Sequence, residues 1–336
     1  MYSEEEYCRT PFQYLEVHFD GNVSLCCPTF QNPCFVGNIF ECNSFEEIWN
    51  GESAIELRKT ILDGSYKRCK LDLCRYRKSQ NQKQVTTVNT YVEKYPTIVF
   101  FCHDQQCNVR CVMCRDKQIV TDSKRQKFLN SLIQPIFLPM LKDARLVTLN
   151  PGGEFFASKH MILLAKNITK YYPHIKFHIF SNGIEFNKRN CDKIGITDKL
   201  NFAEISLHAA TEKTYNKIVL GGNFKKVMNN IRWLSSMKRS RKISFIRINF
   251  VISSINYEEM PAFQKLIDEL DCSSSFTLYQ PWNSKMANQY DEVAVFNPKH
   301  PKYNHFLEIL QDKVFDSPNC VMQNCLVELR RNLRNN

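Results

Sequence analysis

The pattern of hydrophobic and polar positions divides the chain into two parts, the first hundred residues and the remainder. In the first, residues 12–19 alternate roughly between apolar and polar positions, a Gly-containing turn follows, and residues 23–27 form a second apolar run. This pattern predicts a β-hairpin. Residues 44–64 then space their apolar positions as a helix does, with Ser44 and Glu47 placed as a capping box. A hairpin followed by a helix predicts a small α+β domain.

In the second part, short apolar runs alternate with stretches of helical spacing. The runs predict six strands, at residues 97–101, 146–150, 176–180, 203–208, 245–252 and 275–280. Helical spacing lies between them, for example at 155–171, 224–238 and 258–270. Repeated β/α units predict parallel strands joined by right-handed crossovers. The predicted fold class is α/β, a partial (β/α)6 TIM-type barrel preceded by a small cysteine-rich α+β domain.

Shifts in composition set the predicted domain boundaries. Residues 1–78 form the cysteine-rich domain, 79–94 a polar linker, 95–285 the barrel core and 286–336 a C-terminal extension. Active residues of parallel barrels follow the carboxyl ends of the strands. We therefore sought the chemistry directly after each predicted strand.

Composition narrows the classes of protein that the chain can represent. Its 336 residues are 43% hydrophobic and 24% charged, as in globular proteins. It has no run of about 18 apolar residues, and it begins with an acidic stretch, so we expect no membrane span, no secretory signal and a cytoplasmic location. The net charge of +11 is spread along the chain, so nucleic acid is not the expected partner. We expect Arg330, Arg331 and Arg334 to form a solvated basic surface.

Cysteine content points to metal or redox chemistry. The chain has 15 cysteines, and cytosolic disulfides are rare. The cysteines cluster along the chain, as Cys8, Cys26, Cys27, Cys34, Cys42, Cys69 and Cys74, then Cys102, Cys107, Cys111 and Cys114, then Cys191, Cys272, Cys320 and Cys325.

The second cluster of cysteines directly follows the first barrel strand. Cys107, Cys111 and Cys114 have the spacing C-x3-C-x2-C. Three thiolates on one loop can bind three corners of a cubane iron–sulfur cluster and leave the fourth iron open. A structural zinc site instead needs four closed ligands. A closed site with Cys102 as the fourth ligand is the alternative.

This triplet, after the first strand of a six-unit β/α domain, resembles the radical S-adenosylmethionine (radical SAM) superfamily. After the second strand come Gly152, Gly153 and Glu154, similar to the family's Gly-Gly-Glu motif that holds the methionyl amino group. An ammonium group prefers carbonyls and a carboxylate, and glycine lets the backbone approach closely. A plain Gly-Gly turn with a glutamate at a helix start is the alternative.

Further strand ends carry residues that the resemblance assigns to S-adenosylmethionine binding. Ser181 and Asn182 follow the third strand, and Ser206 ends the fourth, where His208 replaces the acid of the family's Ser-Leu-Asp-Gly segment. Asn249 lies on the fifth strand, on the same face as Arg247, for which a salt bridge is an equal alternative.

The N-terminal cysteines resemble part of the SPASM domain, an auxiliary iron–sulfur module of radical SAM enzymes. Cys8, Gly21 and Cys26 read C-x12-G-x4-C, and Cys69 and Cys74 follow the predicted helix. The resemblance implies that Cys8, Cys26, Cys69 and Cys74 hold one auxiliary [4Fe-4S] cluster. Alternatives are a zinc site from the same thiolates, or ligation by Cys34 or Cys42. Neighbouring Cys26 and Cys27 point to opposite faces of a strand, so one of them should be a ligand.

The resemblance implies the reductive cleavage of S-adenosylmethionine to a 5′-deoxyadenosyl radical, which abstracts hydrogen from a substrate. The expected cofactors are two [4Fe-4S] clusters and S-adenosyl-L-methionine, with flavodoxin or ferredoxin as electron donor. We expect a peptide or protein substrate. The alternatives are a carbohydrate or other small molecule, a methyltransferase using Cys102, Cys320 or Cys325, and a zinc-stapled nucleic-acid-binding protein.

Overall fold

A computed structural model describes residues 7–26, 34–69, 74, 88–150, 152–281 and 284–335. The strands within these residues are, in chain order, β1 (Tyr14–Val17), β2 (Asn22–Ser24), β3 (Phe35–Asn38), β4 (Ile98–Phe101), β5 (Arg110–Cys111), β6 (Leu146–Leu149), β7 (Lys176–Ser181), β8 (Leu200–Ser206), β9 (Val219–Leu220), β10 (Phe245–Ile252), β11 (Ser273–Leu278) and β12 (Cys320–Met322).

Helices occupy the stretches between most of these strands. They are α1 (Glu46–Trp49), α2 (Glu52–Leu62), α3 (Ser123–Ser131), α4 (Lys159–Tyr171), α5 (Lys188–Ile194), α6 (Glu212–Ile218), α7 (Phe224–Arg239), α8 (Met260–Glu269), α9 (Ser284–Asn288), α10 (Tyr290–Val293), α11 (Tyr303–Leu310) and α12 (Asn324–Asn335). Within the described ranges, no helix combines the length and the apolar character needed to cross a membrane.

The chain divides into two compact units. The first comprises Met1–Gln105, Thr121–Gly153 and Ser158–Phe177, and the second Gln106–Val120, Glu154–Ala157 and His178–Asn336. The domain boundaries predicted from composition stay a prediction, and the predicted linker lies outside the described residues up to residue 87.

The first unit contains a mixed sheet with the strand order β6-β4-β1-β2-β3. The predicted hairpin is confirmed, because β1 pairs with β2 in antiparallel register with Glu16 opposite Ser24. β1 also pairs in parallel with β4, with Leu15 opposite Val99. All four residues of β1 are buried, as expected for a strand with neighbours on both edges and cover on its faces.

The predicted helix over residues 44–64 is wrong in one respect, since it is broken into α1 and α2. Gly51 has an extended backbone at the break, and a Cβ atom there would collide with the carbonyl oxygen of Glu47. The predicted capping box is also wrong, because the N-cap of α1 is Phe45 and no side chain caps it. The Ser44 hydroxyl donates to the side chain of Glu47 instead, at 3.3 Å. A glycine that must depart from helical geometry therefore ends one helix and begins the next.

The second unit contains a sheet with the strand order β12-β11-β10-β8-β7. β10 pairs in parallel with both β8 and β11. Burial alternates along β10, so Phe250 packs 4.8 Å from the ring of Phe263 in α8 while Arg247 and Asn249 lie on the other face. The α/β class and the six predicted strands are confirmed, and strands alternating with helices are typical of a partial TIM-type barrel.

The C-terminal segment adds to this sheet rather than forming a basic surface. β12 pairs in parallel with β11. Arg330 is only 9% exposed; its Nε donates to the carbonyl oxygen of Leu310 at 2.8 Å and its Nη1 lies 2.8 Å from Asp316. Arg334 also pairs with Asp316. The expectation of a solvated cluster is therefore wrong for Arg330, because an acidic partner and free carbonyls lie close to it.

Candidate functional site

The loop that carries Cys107, Cys111 and Cys114 is tied down by backbone hydrogen bonds. At its base, the N–H of Cys107 donates to the carbonyl oxygen of Ile119 at 3.0 Å. Further along, Cys111 lies in β5, opposite Val219 of β9 in a short antiparallel pair. These bonds fix the backbone of the loop. The three cysteines are free thiols, which can act as ligands.

The surroundings of Cys107 and Cys111 disfavour their thiolate forms. Burial, together with the charges of Cys114 and Cys107, raises the pKa of Cys111 to about 12. Burial also raises the pKa of Cys107, against the backbone N–H of Val109, which lowers it. Because the charges of Cys107 and Cys114 both act on Cys111, the three thiols lie close to one another, as the ligands of one cluster must.

The donor set of the loop fits a cubane cluster. Across the described residues, no three His, Cys, Asp or Glu side chains converge as the ligands of a single metal ion would. In a cubane cluster each thiolate binds a different iron atom, so the ligand sulfurs do not meet at one point. Cys107, Cys111 and Cys114 therefore fit by donor chemistry and by their placement on one fixed loop.

Glu154 lies at the centre of a buried hydrogen-bond network in the second unit. Its side chain is 1% exposed. The Ser181 hydroxyl donates to Oε1 at 2.9 Å, and the backbone N–H groups of Asn182 and Phe156 donate to Oε2 and Oε1 at 2.6 and 3.1 Å. Three predicted cofactor-binding residues, Glu154, Ser181 and Asn182, are thus brought together.

The electrostatics of Glu154 fit a cationic ligand. Burial raises its pKa to about 7, although the donors from Asn182, Phe156 and Ser181 favour the ionised form. The charge of Glu185 contributes to this rise. An ammonium group beside Glu154 would restore the ionised carboxylate. Binding of an ammonium group by Glu154, as expected from the Gly-Gly-Glu motif, stays a prediction.

A second hydrogen bond links this network to the cysteine loop. The side-chain amide of Asn182 donates to Asn108 Oδ1 at 2.8 Å, and the N–H of Glu154 donates to the carbonyl oxygen of Gln106 at 2.7 Å. Asn108 and Gln106 flank Cys107 in sequence. The strand-end residues therefore hold the cysteine loop as well as the buried carboxylate, a role that the sequence did not indicate.

The two glycines of the motif lie in the first unit. A Cβ atom at Gly152 would meet the carbonyl oxygen of Cys102 at 3.5 Å, an ordinary contact. The N–H of Gly153 donates to the carbonyl oxygen of Asn150 at 3.2 Å, and Asn150 has a left-handed φ of 57°. Packing does not demand a glycine at position 152, so its predicted role in backbone approach to a ligand stays a prediction.

Ser206 and Asn249 are neighbours in the β8–β10 register. The amide of Asn249 donates to Glu204 Oε2 at 3.2 Å, and Arg247 Nη1 lies 3.1 Å from Glu204 Oε1. The salt-bridge alternative for Arg247 is therefore correct. The side chain of Asn249 thus has a partner within the protein. Ligand binding by Ser206 and Asn249 stays a prediction.

His208, which replaces the family's acid, is part of the protein's own hydrogen-bonding. Its φ is 62°, its Nδ1 accepts from the N–H of Val251 at 3.2 Å, and its carbonyl oxygen accepts from Asn256. Burial lowers the pKa of His208 to about 4, so the ring is neutral at physiological pH.

Sequence reasoning missed a buried polar network that directly precedes the cysteine loop. His103 and Asp104 are each 2% exposed. His103 Nε2 lies 2.7 Å from His160 Nε2, and Asp104 accepts hydrogen bonds from the hydroxyls of Thr121 and Ser158. The network fixes the chain between β4 and the loop. Polar residues directly after a strand were the signal that could have revealed it.

The N-terminal cysteines are organised around Tyr66 in the first unit. The N–H of Cys8 donates to the Tyr66 hydroxyl at 3.3 Å, and the N–H of Cys69 donates to the Tyr66 carbonyl oxygen at 2.8 Å. Burial, together with the charges of Cys8, Cys74 and Cys34, raises the pKa of Cys69 to about 12. The structure thus brings together three predicted ligands and also places Cys34 beside them.

The remaining N-terminal cysteines have different surroundings. The carbonyl oxygen of Cys26, two residues beyond β2, accepts from the Ser24 hydroxyl at 3.2 Å. Ligation by Cys26 stays a prediction, and Cys27 lies outside the described residues. The Cys42 thiol donates to the carbonyl oxygen of Ile39 at 3.6 Å.

Three other cysteines are candidates for an alternative ligand or for the catalytic residues of a methyltransferase, namely Cys102, Cys320 and Cys325. The Cys102 thiol is buried and donates to Glu16 Oε1 at 3.1 Å; burial and Glu16 raise its pKa. Cys320 lies in β12, and burial raises its pKa to about 11. Cys325 is exposed on α12. The Cys102 thiol thus has an acceptor within the protein, as a packing thiol does. Catalysis by Cys320 or Cys325 stays a prediction.

Comparison with known families identifies the N-terminal module. Residues 8–75 match SPASM, described as an iron–sulfur cluster-binding domain. The match confirms the predicted SPASM-like module and, with it, an iron–sulfur cofactor for this part of the chain. No curated protein matches the chain at a significant level.

Comparison with solved structures finds distant similarity to three proteins. One is polyhistidine-tagged anSMEcpe with bound AdoMet, at 17% identity over 68% of this chain and 63% of that protein, with a TM-score of 0.43. Another is methylornithine synthase (PylB), at 11% identity over 70% and 68%, with a TM-score of 0.39. The third is BtrN in complex with AdoMet and 2-DOIA, at 14% identity over 72% and 88%, with a TM-score of 0.30. The chain thus spans less than two thirds of anSMEcpe.

Proposed function

We propose that this chain is a radical SAM enzyme that carries one auxiliary iron–sulfur cluster. The observation that supports this best is the loop that carries Cys107, Cys111 and Cys114, whose backbone is held by the pairing of β5 with β9 and by the bond from Cys107 to Ile119. Glu154, a buried carboxylate suited to an ammonium ligand, belongs to the same compact unit. Three thiolates with an open fourth iron suit a reactive cluster rather than a structural one.

The chain's own residues have distinct tasks in this proposal. Cys107, Cys111 and Cys114 would hold the cluster, which when bound supplies the electron that cleaves S-adenosylmethionine to a 5′-deoxyadenosyl radical. Glu154 would bind the methionyl ammonium group, held in place by Ser181 and Asn182. The bond from Asn182 to Asn108 would keep the loop in position.

The N-terminal module would hold the auxiliary [4Fe-4S] cluster through Cys8, Cys26, Cys69 and Cys74. The SPASM match supports the cofactor, and the cysteines around Tyr66 support a shared site. We assign this cluster a role in binding the substrate or accepting its electrons after hydrogen abstraction. A flavodoxin or ferredoxin would reduce the first cluster.

A peptide or protein is the proposed substrate, since SPASM-like modules often accompany radical SAM enzymes that modify ribosomally made peptides. The second candidate is dehydrogenation or epimerisation of a carbohydrate or other small molecule. Hydrogen transfer from a deuterated substrate into 5′-deoxyadenosine would distinguish the two classes directly.

One experiment tests the proposal. The protein is purified anaerobically, its iron and sulfide are counted, and it is reduced in the presence of S-adenosylmethionine. We expect about eight irons per chain, for two cubane clusters, and production of 5′-deoxyadenosine. A colourless, zinc-loaded protein that yields no 5′-deoxyadenosine would refute the assignment.

A further inference from the structure

Tyr215 is a buried residue whose hydroxyl the proposed mechanism does not use. It lies in α6 with no exposed surface. Among the described residues, its hydroxyl has no hydrogen-bond partner of ordinary geometry. Buried hydroxyls are rarely left unpaired, because desolvation is then uncompensated. An unpaired hydroxyl at a fixed position therefore suggests a partner that binds later.

The ring of Tyr215 is held firmly. A Cβ atom at Gly222 would lie 2.6 Å from the ring and 2.7 Å from the hydroxyl oxygen, so only glycine fits there. The ring of Phe224 packs 5.5 Å away on another side. The position of the hydroxyl is therefore set by the protein before any ligand arrives.

The surroundings of this hydroxyl belong to the candidate site. Burial raises the pKa of Tyr215; the charges of Cys111 and Glu154 raise it further, and the backbone N–H of Asn223 opposes the rise. Cys111 and Glu154 are the proposed cluster ligand and ammonium-binding carboxylate. α6 leads directly into β9, which pairs with the strand that carries Cys111. The N–H of Asn223 faces the oxygen, which leaves the hydroxyl hydrogen to be donated.

We propose that the Tyr215 hydroxyl donates a hydrogen bond to a sulfur atom of the cluster held by Cys107, Cys111 and Cys114, and so raises its reduction potential. The inference rests on the proposed function, since it requires that this cluster forms. Hydrogen bonds to cluster sulfurs favour the reduced, more negative state. Tyr215 would thus tune the potential through a direct contact with the cluster.

The test compares Tyr215→Phe with Tyr279→Phe, both in a Cys69→Ala background intended to remove the auxiliary cluster. Tyr279 is also buried, but its hydroxyl lies 3.4 Å from the Met286 carbonyl oxygen. Each reconstituted protein is titrated potentiometrically with electron paramagnetic resonance detection, first without and then with S-adenosylmethionine. Iron content and apoprotein melting are measured alongside.

Tyr215→Phe should bind the same iron yet reduce at a lower potential without S-adenosylmethionine, with the reduction equilibrium falling about tenfold, or about 59 mV for one electron. Tyr279→Phe should leave the potential unchanged. An unchanged potential in Tyr215→Phe, or equal shifts in both variants, would overturn the inference. So would an effect confined to S-adenosylmethionine affinity, which would make the cofactor the partner. If the Cys69→Ala parent assembles no cluster, the proposed function itself fails.

Discussion

The two groups of cysteines in this chain are brought together by the fold in different ways. Cys107, Cys111 and Cys114 lie on one loop, and one short strand pair and one backbone bond hold that loop. Cys8 and Cys69 lie far apart in sequence and meet through Tyr66. A local ligand set needs only a local anchor, whereas a dispersed set depends on the fold of a whole module.

Arg58 stabilises the N-terminal module that carries the dispersed ligand set, the cysteines Cys8, Cys26, Cys69 and Cys74. It is fully buried, its Nε donates to the carbonyl oxygen of Pro11 at 2.9 Å, and its Nη1 donates to Asn50 Oδ1 at 3.1 Å. Its guanidinium also lies 4.4 Å from the ring of Trp49. Burial lowers the pKa of Arg58 to about 10. One side chain thus ties the segment after Cys8 to the helices.

The largest effect is expected from the local set. Replacing Cys107, Cys111 and Cys114 together by Ala should abolish S-adenosylmethionine cleavage and remove about half of the iron, because all three protein ligands of one cluster are lost. Iron analysis and 5′-deoxyadenosine assays measure both. Cys325→Ala, on the exposed face of α12, is the matched control and should change neither. Cleavage that survives the triple change would contradict the proposal.

Ionisation of Glu154 should be the next largest effect. Its pKa is raised above the ordinary carboxyl value to about 7, so the ionised fraction grows as pH rises from 5.5 to 7. Affinity for S-adenosylmethionine should rise about tenfold over this range. Calorimetric titration of the cluster-loaded protein measures it.

Glu154→Gln supplies the control for this pH dependence. The amide cannot ionise, so binding should be weak and nearly independent of pH. A variant that keeps the wild-type slope would assign the pH dependence to another group. Without ligand the sign is opposite, since the neutral carboxyl contributes stability that is lost as pH rises through about 7.

Replacing cysteines of the dispersed set should remove the auxiliary cluster without abolishing the cleavage of S-adenosylmethionine. Cys69→Ala with Cys74→Ala should remove about half of the iron yet keep cleavage within about tenfold of the unmodified protein, because the local loop does not depend on these thiols. Complete loss of cleavage would mean that the two sets are not independent.

Cys26 and Cys34 sharpen the same comparison. The spacing predicts Cys26 as a ligand, whereas Cys34 is among the thiols that raise the pKa of Cys69. Single Ala variants, made in the triple-Ala background, should show lost auxiliary-cluster absorbance for Cys26 and retained absorbance for Cys34. The reverse result would move the fourth ligand to Cys34.

The smallest effect concerns stability. Arg58→Met should lower the free energy of unfolding by about 2 kcal/mol, because the buried acceptors on Pro11 and Asn50 lose their donor. Urea unfolding of the apoprotein measures it. Lys59→Met, at an exposed position of the same helix, should change stability by less than about 0.5 kcal/mol.

Sequence predicted the elements with strong periodic signals. β10 spans the predicted residues 245–252 and alternates in burial as its pattern requires. The predicted helix over 224–238 is α7, Phe224–Arg239. In both cases a continuous run of residues carries the period.

Elements that depend on distant partners could not be predicted in this way. β5 and β9 have two residues each, too few to show a period. The parallel pairing of β1 with β4 joins segments more than eighty residues apart, and neither strand encodes its partner. At the site, sequence predicted Glu154, Ser181 and Asn182 as cofactor-binding residues, but the bond from Asn182 to Asn108 exists only in the folded chain.

The pairing of β1 with β4 also bears on protein solubility. β4 is a run of Ile, Val, Phe and Phe whose edge is occupied by β1. An uncovered apolar edge strand is a template for pairing between molecules. A fragment that begins after residue 78 would expose this edge and should self-associate. The N-terminal hairpin thus covers an apolar edge of β4, whatever its cysteines bind.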